Sequence, residues 1–280
     1  MITVTFAGCG DAFGSGGRFQ ACIHLRPEAP EAPEALETPA APEAPAAPEA
    51  PAAPEAPAAP EAPAALAGPV LLDCGATSLA ALRRCGLDPG EITAVFVSHL
   101  HGDHFGGLPF LILDGQFSRR VAPLAVVGPP GTQQRLAAAM ECLFPGSTQV
   151  RRRFEVSVVE LSPGRTEQVA GVTARAWEAR HPSGAPALIL RLAVGPTVVA
   201  YTGDTAWTPA VAEASHQADL LIAEAYYWDK AVPYHLRYAD LAEHEITARR
   251  VVLTHMSADM LARQHLAVHD TARDGLVITV

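Results

Sequence analysis

Ser98-His99-Leu100-His101-Gly102-Asp103-His104 holds three imidazoles and a carboxylate within six residues. The run before it, Thr93-Ala94-Val95-Phe96-Val97-Ser98, is apolar and β-branched, which reads as a buried strand. A strand end fixes the first donor. Alternate residues His99 and His101 can then point to the same side, and a turn at Gly102 can bring Asp103 and His104 to a second position. Neutral imidazole and carboxylate suit Zn²⁺, and also Mn²⁺ or Fe.

One such cluster does not complete two metal positions, so further donors are expected at other strand ends. His181 follows a strand ending Ala179-Arg180. Asp204 stands in Tyr201-Thr202-Gly203-Asp204-Thr205, and His255 follows Val251-Val252-Leu253-Thr254. Each lies where an apolar strand meets a loop, the place where a rigid scaffold presents functional groups.

This ordered set resembles the metallo-β-lactamase superfamily of metallo-hydrolases, over nearly the whole chain outside Pro27–Leu66. The resemblance implies an α/β fold, an αββα sandwich of two β-sheets flanked by helices. It implies two metal ions per chain, taken as zinc: His99, His101 and His181 on one, Asp103, His104 and His255 on the other, Asp204 bridging. A hydroxide bridging the metals would attack the substrate, with Asp103 as its proton acceptor. Asp73, in Leu71-Leu72-Asp73-Cys74-Gly75, would support the donor loop. Within the superfamily the chain looks most like the ribonuclease Z-like branch. Ala223-Glu224-Ala225 follows a strand as in that branch, and His235 lies 11 residues beyond Glu224. By that likeness Glu224 would orient His235, and His235 would protonate the leaving alkoxide. Asp103, Glu224 and His235 are therefore the expected catalytic residues.

The chain also departs from that branch. No Gly- and basic-rich arm of the kind that clamps tRNA stands between Asp103 and Asp204. The loop Pro182-Ser183-Gly184-Ala185-Pro186 lacks a Gly-Tyr pair, and the basic runs Arg151-Arg152-Arg153 and Arg119-Arg120 read as solvated faces. A small-molecule substrate is therefore expected rather than tRNA, most simply a small phosphodiester. A lactone, a carboxyl ester and a sulfate ester are competitors, as are iron-based redox chemistry on the same scaffold and a non-catalytic metal-bound scaffold or sensor. Relatives are often dimers, which leaves a homodimer open.

The chain has 280 residues, 49% of them hydrophobic, enough to bury a sizeable core, and is expected to form one metallo-hydrolase domain over 1–280. Pro27–Leu66 interrupts it with 17 Ala, 12 Pro and eight Glu, and Pro-Glu-Ala-Pro-Ala-Ala recurs from Pro42, Pro48, Pro54 and Pro60. Proline every third residue removes donors and blocks helix, so extended or disordered chain is expected there, at the tip of a β-hairpin. The net charge of −10 falls to −2 without those eight glutamates, so the acidity says little about a substrate. No long apolar segment suggests a membrane span or signal peptide, and five cysteines without a Cys-x-x-Cys pair suit a reduced, cytoplasmic chain.

Around the motifs, strands are expected at Thr3–Ala7, Gln20–Leu25, Pro69–Asp73, Val156–Leu161, Val172–Glu178, Pro196–Thr202, Leu220–Glu224, Val251–Thr254 and Leu276–Val280. Helices are expected at Ser78–Gly86, Thr132–Leu143 and Tyr238–Arg249. The Gly8–Gly17 turn is expected to shape a wall of the site, with Phe13 a candidate substrate contact.

Overall fold

The period-two pleat of β1 (Ile2–Gly8), buried at all but Thr3, turns Ile2, Val4 and Phe6 to one side, where they form part of the main core. β1 pairs antiparallel with β2 (Cys22–Pro27), and β2 with β3 (Val70–Leu72), Leu25 facing Val70. The computed structural model describes residues 1–28 and 68–280. The hairpin strands expected on either side of the low-complexity insertion are thus present, while 29–66 of that insertion lie outside the described residues.

From β3 the sheet continues in parallel through β4 (Ala94–Phe96), β5 (Leu124–Gly128) and β6 (Val156–Glu160). At its other edge β14 (Leu276–Thr279) pairs with β1. The second sheet begins antiparallel, with β7 (Thr166–Val169), β8 (Val172–Ala179), β9 (Ala187–Val194) and β10 (Thr197–Tyr201). It ends parallel through β11 (Leu220–Glu224), β12 (Val251–Thr254) and the short β13 (Asp270–Thr271). The described residues therefore form two seven-stranded sheets.

The faces of the sheets decide the layering. Phe6, Ile23, Leu72 and Phe96 from the first sheet meet Leu190, Leu192, Tyr201 and Ile222 from the second in a common core. On the outer face of the first sheet, Leu71, Val95 and Val126 pack under α1 (Ser78–Arg84), α3 (Leu108–Phe117) and α4 (Thr132–Leu143) through Leu82, Leu111 and Leu136. The short α2 (Gly102–Phe105) precedes α3. On the outer face of the second sheet, Ile189 meets Val211 of α5 (Pro209–Ser215). There Leu221 and Leu253 meet Leu241 of α6 (Tyr238–Glu243) and Met260 of α7 (Ala258–Arg263). This is the αββα sandwich expected from the sequence.

One expected element is shorter than the sequence reading has it. The helix expected over Tyr238–Arg249 stops at Glu243, where His244 turns extended at φ −122° and ψ 151°. The His244 ring stacks on Trp207 at 3.9 Å, and the β-branched Ile246 and Thr247 that follow have weak helical preference. Strands β5, β7, β9 and β13 and helices α2, α3, α5 and α7 are additions. β9 is a nearly continuous apolar run, a pattern that periodicity does not assign to strand or helix.

Candidate metal centre

The ends of five strands converge at one side of the sandwich. Asp73 follows β3, His99 comes three residues after β4, and His181 two after β8. Asp204 follows β10 by three residues, and His255 comes directly after β12. His101 caps the N-terminus of α2, and Asp103 and His104 stand within that short helix. The bends need unusual backbone. Asp73 and His255 have φ of 58° and 54°, a left-handed conformation that costs a non-glycine residue about 1–3 kcal/mol. Each is tied down by its backbone N–H, Asp73 to Phe96 O at 2.9 Å and His255 to Cys9 O at 3.1 Å. Gly203 has φ 54°, and a Cβ there would come within 2.7 Å of Ser98 Cβ, so Asp204 is delivered by a turn that only glycine fits.

The structure brings the seven expected donors together. His99, His101 and His181 form one group and Asp103, His104, Asp204 and His255 another, each with donor atoms within 4.8 Å of one another. Asp204 lies between them: its Oδ1 is 3.2 Å from His104 Nε2, and its Oδ2 is 3.9 Å from both His99 Nε2 and His181 Nε2. His181 Nε2 is 3.1 Å from His101 Nδ1, and His255 Nε2 is 3.3 Å from both His104 Nε2 and Asp103 Oδ2.

The outward nitrogens explain why the inward ones are available. His104 Nδ1 is held by Asp73 Oδ2 at 2.6 Å, and His181 Nδ1 donates to the Tyr234 carbonyl at 3.0 Å. With the ring proton on Nδ1, each Nε2 presents a lone pair to the centre. Asp73 is itself held by the Ser98 N–H and hydroxyl at 2.7 and 2.8 Å and by the Tyr201 hydroxyl at 2.7 Å. Its expected supporting position agrees with this geometry. Tyr201, which reaches Asp73 from the opposite sheet, is not anticipated by the sequence reading.

Two inward atoms, His99 Nε2 and Asp204 Oδ1, are buried with no hydrogen bond aimed at them. Buried polar atoms are rarely left so. The charges point the same way. Burial would raise the Asp204 carboxyl, but the neighbouring His255 and His104 hold it well below the usual range. Burial would lower His255, but Asp204, Asp103 and Glu224 push it up to about 10. Burial and the charge of His104 hold His99 well below its ordinary value, which keeps its ring neutral. Nitrogen and carboxylate donors with orphaned inward atoms fit divalent cations.

Beside this cluster Glu224 Oε1 lies 2.5 Å from His235 Nδ1, and its Oε2 accepts the Thr205 and Leu236 N–H groups at 3.0 and 3.2 Å. The pair expected from the sequence is therefore formed. Burial lowers His235, but the hydrogen bond and charge of Glu224 outweigh it, so its net shift is upward. Tyr226 stacks on the His235 ring at 4.7 Å. The Tyr226–Trp228 segment is thus partly a wall of the site; no short motif signals that. Phe13 is 82% exposed.

The family model described as the beta-lactamase superfamily domain matches residues 69–256. The chain belongs to the beta-lactamase superfamily. Among relatives of this superfamily member, the ribonuclease Z of Methanosarcina acetivorans is 28% identical over 243 residues, covering 68% of this chain and 78% of that protein. The ribonuclease Z of Salinibacter ruber is 43% identical over 100 residues, 35% of this chain and 30% of that protein. In fold, human tRNase Z, short form, superposes with a TM-score of 0.68 at 24% identity, covering 99% of both chains. A diphosphatase from the PhnP family superposes at 0.65 and 17% identity, covering 100% of this chain and 98% of that one. Within the superfamily the chain falls in the ribonuclease Z-like branch, and it is a metal-dependent hydrolase. Among the described residues no helix is long and apolar enough to cross a membrane, and all five cysteines are free thiols.

Proposed function

We propose that this hydrolase cleaves a small phosphodiester at a dinuclear zinc centre, in the cytoplasm. His99, His101 and His181 would hold one ion, Asp103, His104 and His255 the other, with Asp204 shared between them. The carrying observation is the pair of donor groups, each gathered within 4.8 Å, in which Asp73 and the Tyr234 carbonyl engage the outward nitrogens of His104 and His181 and leave their other nitrogens facing inward. Bound there, two cations would supply Lewis acidity and lower the pKa of a water.

The chain's own groups supply the rest. Burial would raise the Asp103 carboxyl, but His104 and His255 hold it below the usual range, so it stays ionised beside the attacking water; its role as proton acceptor rests on that position. His235 hands a proton to the leaving oxygen, and Glu224, bonded to its Nδ1, keeps the ring charged until then. A cleft of about 550 Å³ opens beside His181, lined also by Arg180, Pro182, Thr208 and Tyr234. That volume suits a small ligand. Between Asp103 and Asp204 the described chain is strands, helices and short loops, with no long arm to embrace a large one.

The names of the relatives favour a second reading, an RNA phosphodiester. Elemental analysis with turnover of bis(p-nitrophenyl) phosphate and of a tRNA precursor tests both. Two zinc per chain and chelator-sensitive cleavage of the small ester alone supports the first. Preferential cleavage of the RNA supports the second. Two zinc without either activity removes the phosphodiester reading and moves the search to lactones, carboxyl esters and sulfate esters.

A further inference from the structure

We propose that His235, His255 and Glu224 form a third, weaker zinc site whose filling switches the hydrolase off. The inference rests on the dinuclear reading above and concerns the regulation of the same site.

Glu224 Oε1 has two imidazole nitrogens beside it, His235 Nδ1 at 2.5 Å and His255 Nδ1 at 3.3 Å. Only the first is a hydrogen bond. His255 Nδ1, on a ring 4% exposed, has no hydrogen-bond partner among the described residues. His255 faces the inner cluster through Nε2, 3.3 Å from Asp103 Oδ2, so its Nδ1 points the other way, toward Glu224 and His235. Donor atoms of these three residues and Asp204 lie within 4.8 Å of one another.

Two imidazole nitrogens and one carboxylate oxygen are a recognised zinc donor set, with the fourth position left to water. Zinc ligands at about 2.0–2.1 Å in a tetrahedron stand about 3.3 Å apart. The His255–Glu224 separation already has that value, and His235 needs to swing outward by less than about 1 Å. That swing is open to it, because the His235 side chain is 21% exposed; Tyr226 stacks on its ring at 4.7 Å, His181 meets it edge-on at 5.0 Å, and the parallel His255 ring lies 6.1 Å away. The ion replaces the proton between His235 and Glu224 and the Nδ1 proton of His255. Both losses make it weaker than the inner two. With zinc on His235 Nδ1 the ring keeps its Nε2–H but can no longer be an imidazolium, and with Glu224 also taken up by the ion that N–H is a far weaker acid toward the leaving oxygen.

The test dialyses the two-zinc holoenzyme against rising zinc chloride, counting bound zinc by elemental analysis while turnover of bis(p-nitrophenyl) phosphate is read in parallel. The expected result is a saturable third equivalent that fills as turnover falls by about 10²-fold or more, the worth of a general acid. His235→Ala and Glu224→Gln each keep the first two equivalents and lose the third; His235→Gln, closer in size, repeats the test if the alanine variant folds poorly. A wild-type protein that stops at two equivalents overturns the proposal. So does a third equivalent that survives both the His235 and Glu224 substitutions. A wild-type protein that never holds two zinc ions instead refutes the dinuclear reading, and this inference with it.

Discussion

Asp73 Oδ2 accepts the Nδ1 proton of His104 at 2.6 Å, and this one bond decides which nitrogen of that ring faces the metal centre. Asp73 is fully buried and reaches His104 from a left-handed turn, with Ser98 and Tyr201 holding its two oxygens. The carboxylate therefore acts through His104 rather than on the ions themselves.

Asp73→Asn should keep the left-handed turn, which Asn tolerates, but present an amide that no longer favours the required tautomer. Metal affinity should drop about 10–100-fold, as for other outer partners of ligand histidines. Competition against a chromophoric chelator measures it; affinity equal to wild type would remove Asp73 from the supporting role.

Gly75→Ala should disturb the same loop by crowding. A Cβ at Gly75 would lie 2.1 Å from the Asp103 carbonyl oxygen and 2.7 Å from Gln20 Cβ. Backbone must move, and overpacking of this kind costs about 1–3 kcal/mol. Urea unfolding should show that loss, and elemental analysis should show fewer ions per chain, because Asp103 and His104 shift with their backbone.

Glu224→Gln should lower turnover by about 10²–10⁴-fold while the two inner ions stay bound. The Thr205 and Leu236 N–H groups still find an oxygen, so the fold is retained. Equal losses of metal and activity would instead make Glu224 a structural support of the centre.

His24 offers a test by pH, away from the donors. It stands on β2, 2% exposed, and its Nδ1 has no hydrogen-bond partner. Burial, aided by the charge of Arg26, pushes it down from 6.5 to about 4. The unfolded chain thus takes up a proton at pH 6.5 that the folded chain refuses until about pH 4. Stability is whole above pH 6.5 and falls as the pH drops toward 4, by about 3 kcal/mol at 1.36 kcal/mol per unit. His24→Leu should lose that much less between pH 7 and pH 4 in denaturant unfolding. An equal loss in both proteins would show that His24 does not titrate in this window.

Much of the centre is legible along the chain because each donor follows an apolar strand: Val251–Thr254 announces His255, and Thr197–Tyr201 announces Asp204. What escapes is contact between distant segments. Tyr201 meets Asp73 across the two sheets, and Gly75 presses its backbone on Asp103. Neither pair has a local signature. The end of α6 escapes for a similar reason, since Trp207, far away in sequence, captures the His244 ring. β9 escapes because, Arg191 apart, Ala187–Val194 is apolar on both faces and carries little alternation to read.

The attachment of residues 29–67 has a consequence for how this chain can change. Pro27 ends β2 and Val70 begins β3, while Cys22 and Asp73 mark the opposite ends of that hairpin. Glu28 hydrogen-bonds Met1, at the start of β1, and the donors gather where β1 ends, at Gly8 and Cys9. The strands thus act as spacers between a conservative pole and a permissive one. Codons can be gained or lost at the permissive pole, by slippage in a repeat for instance, without asking any ligand to move.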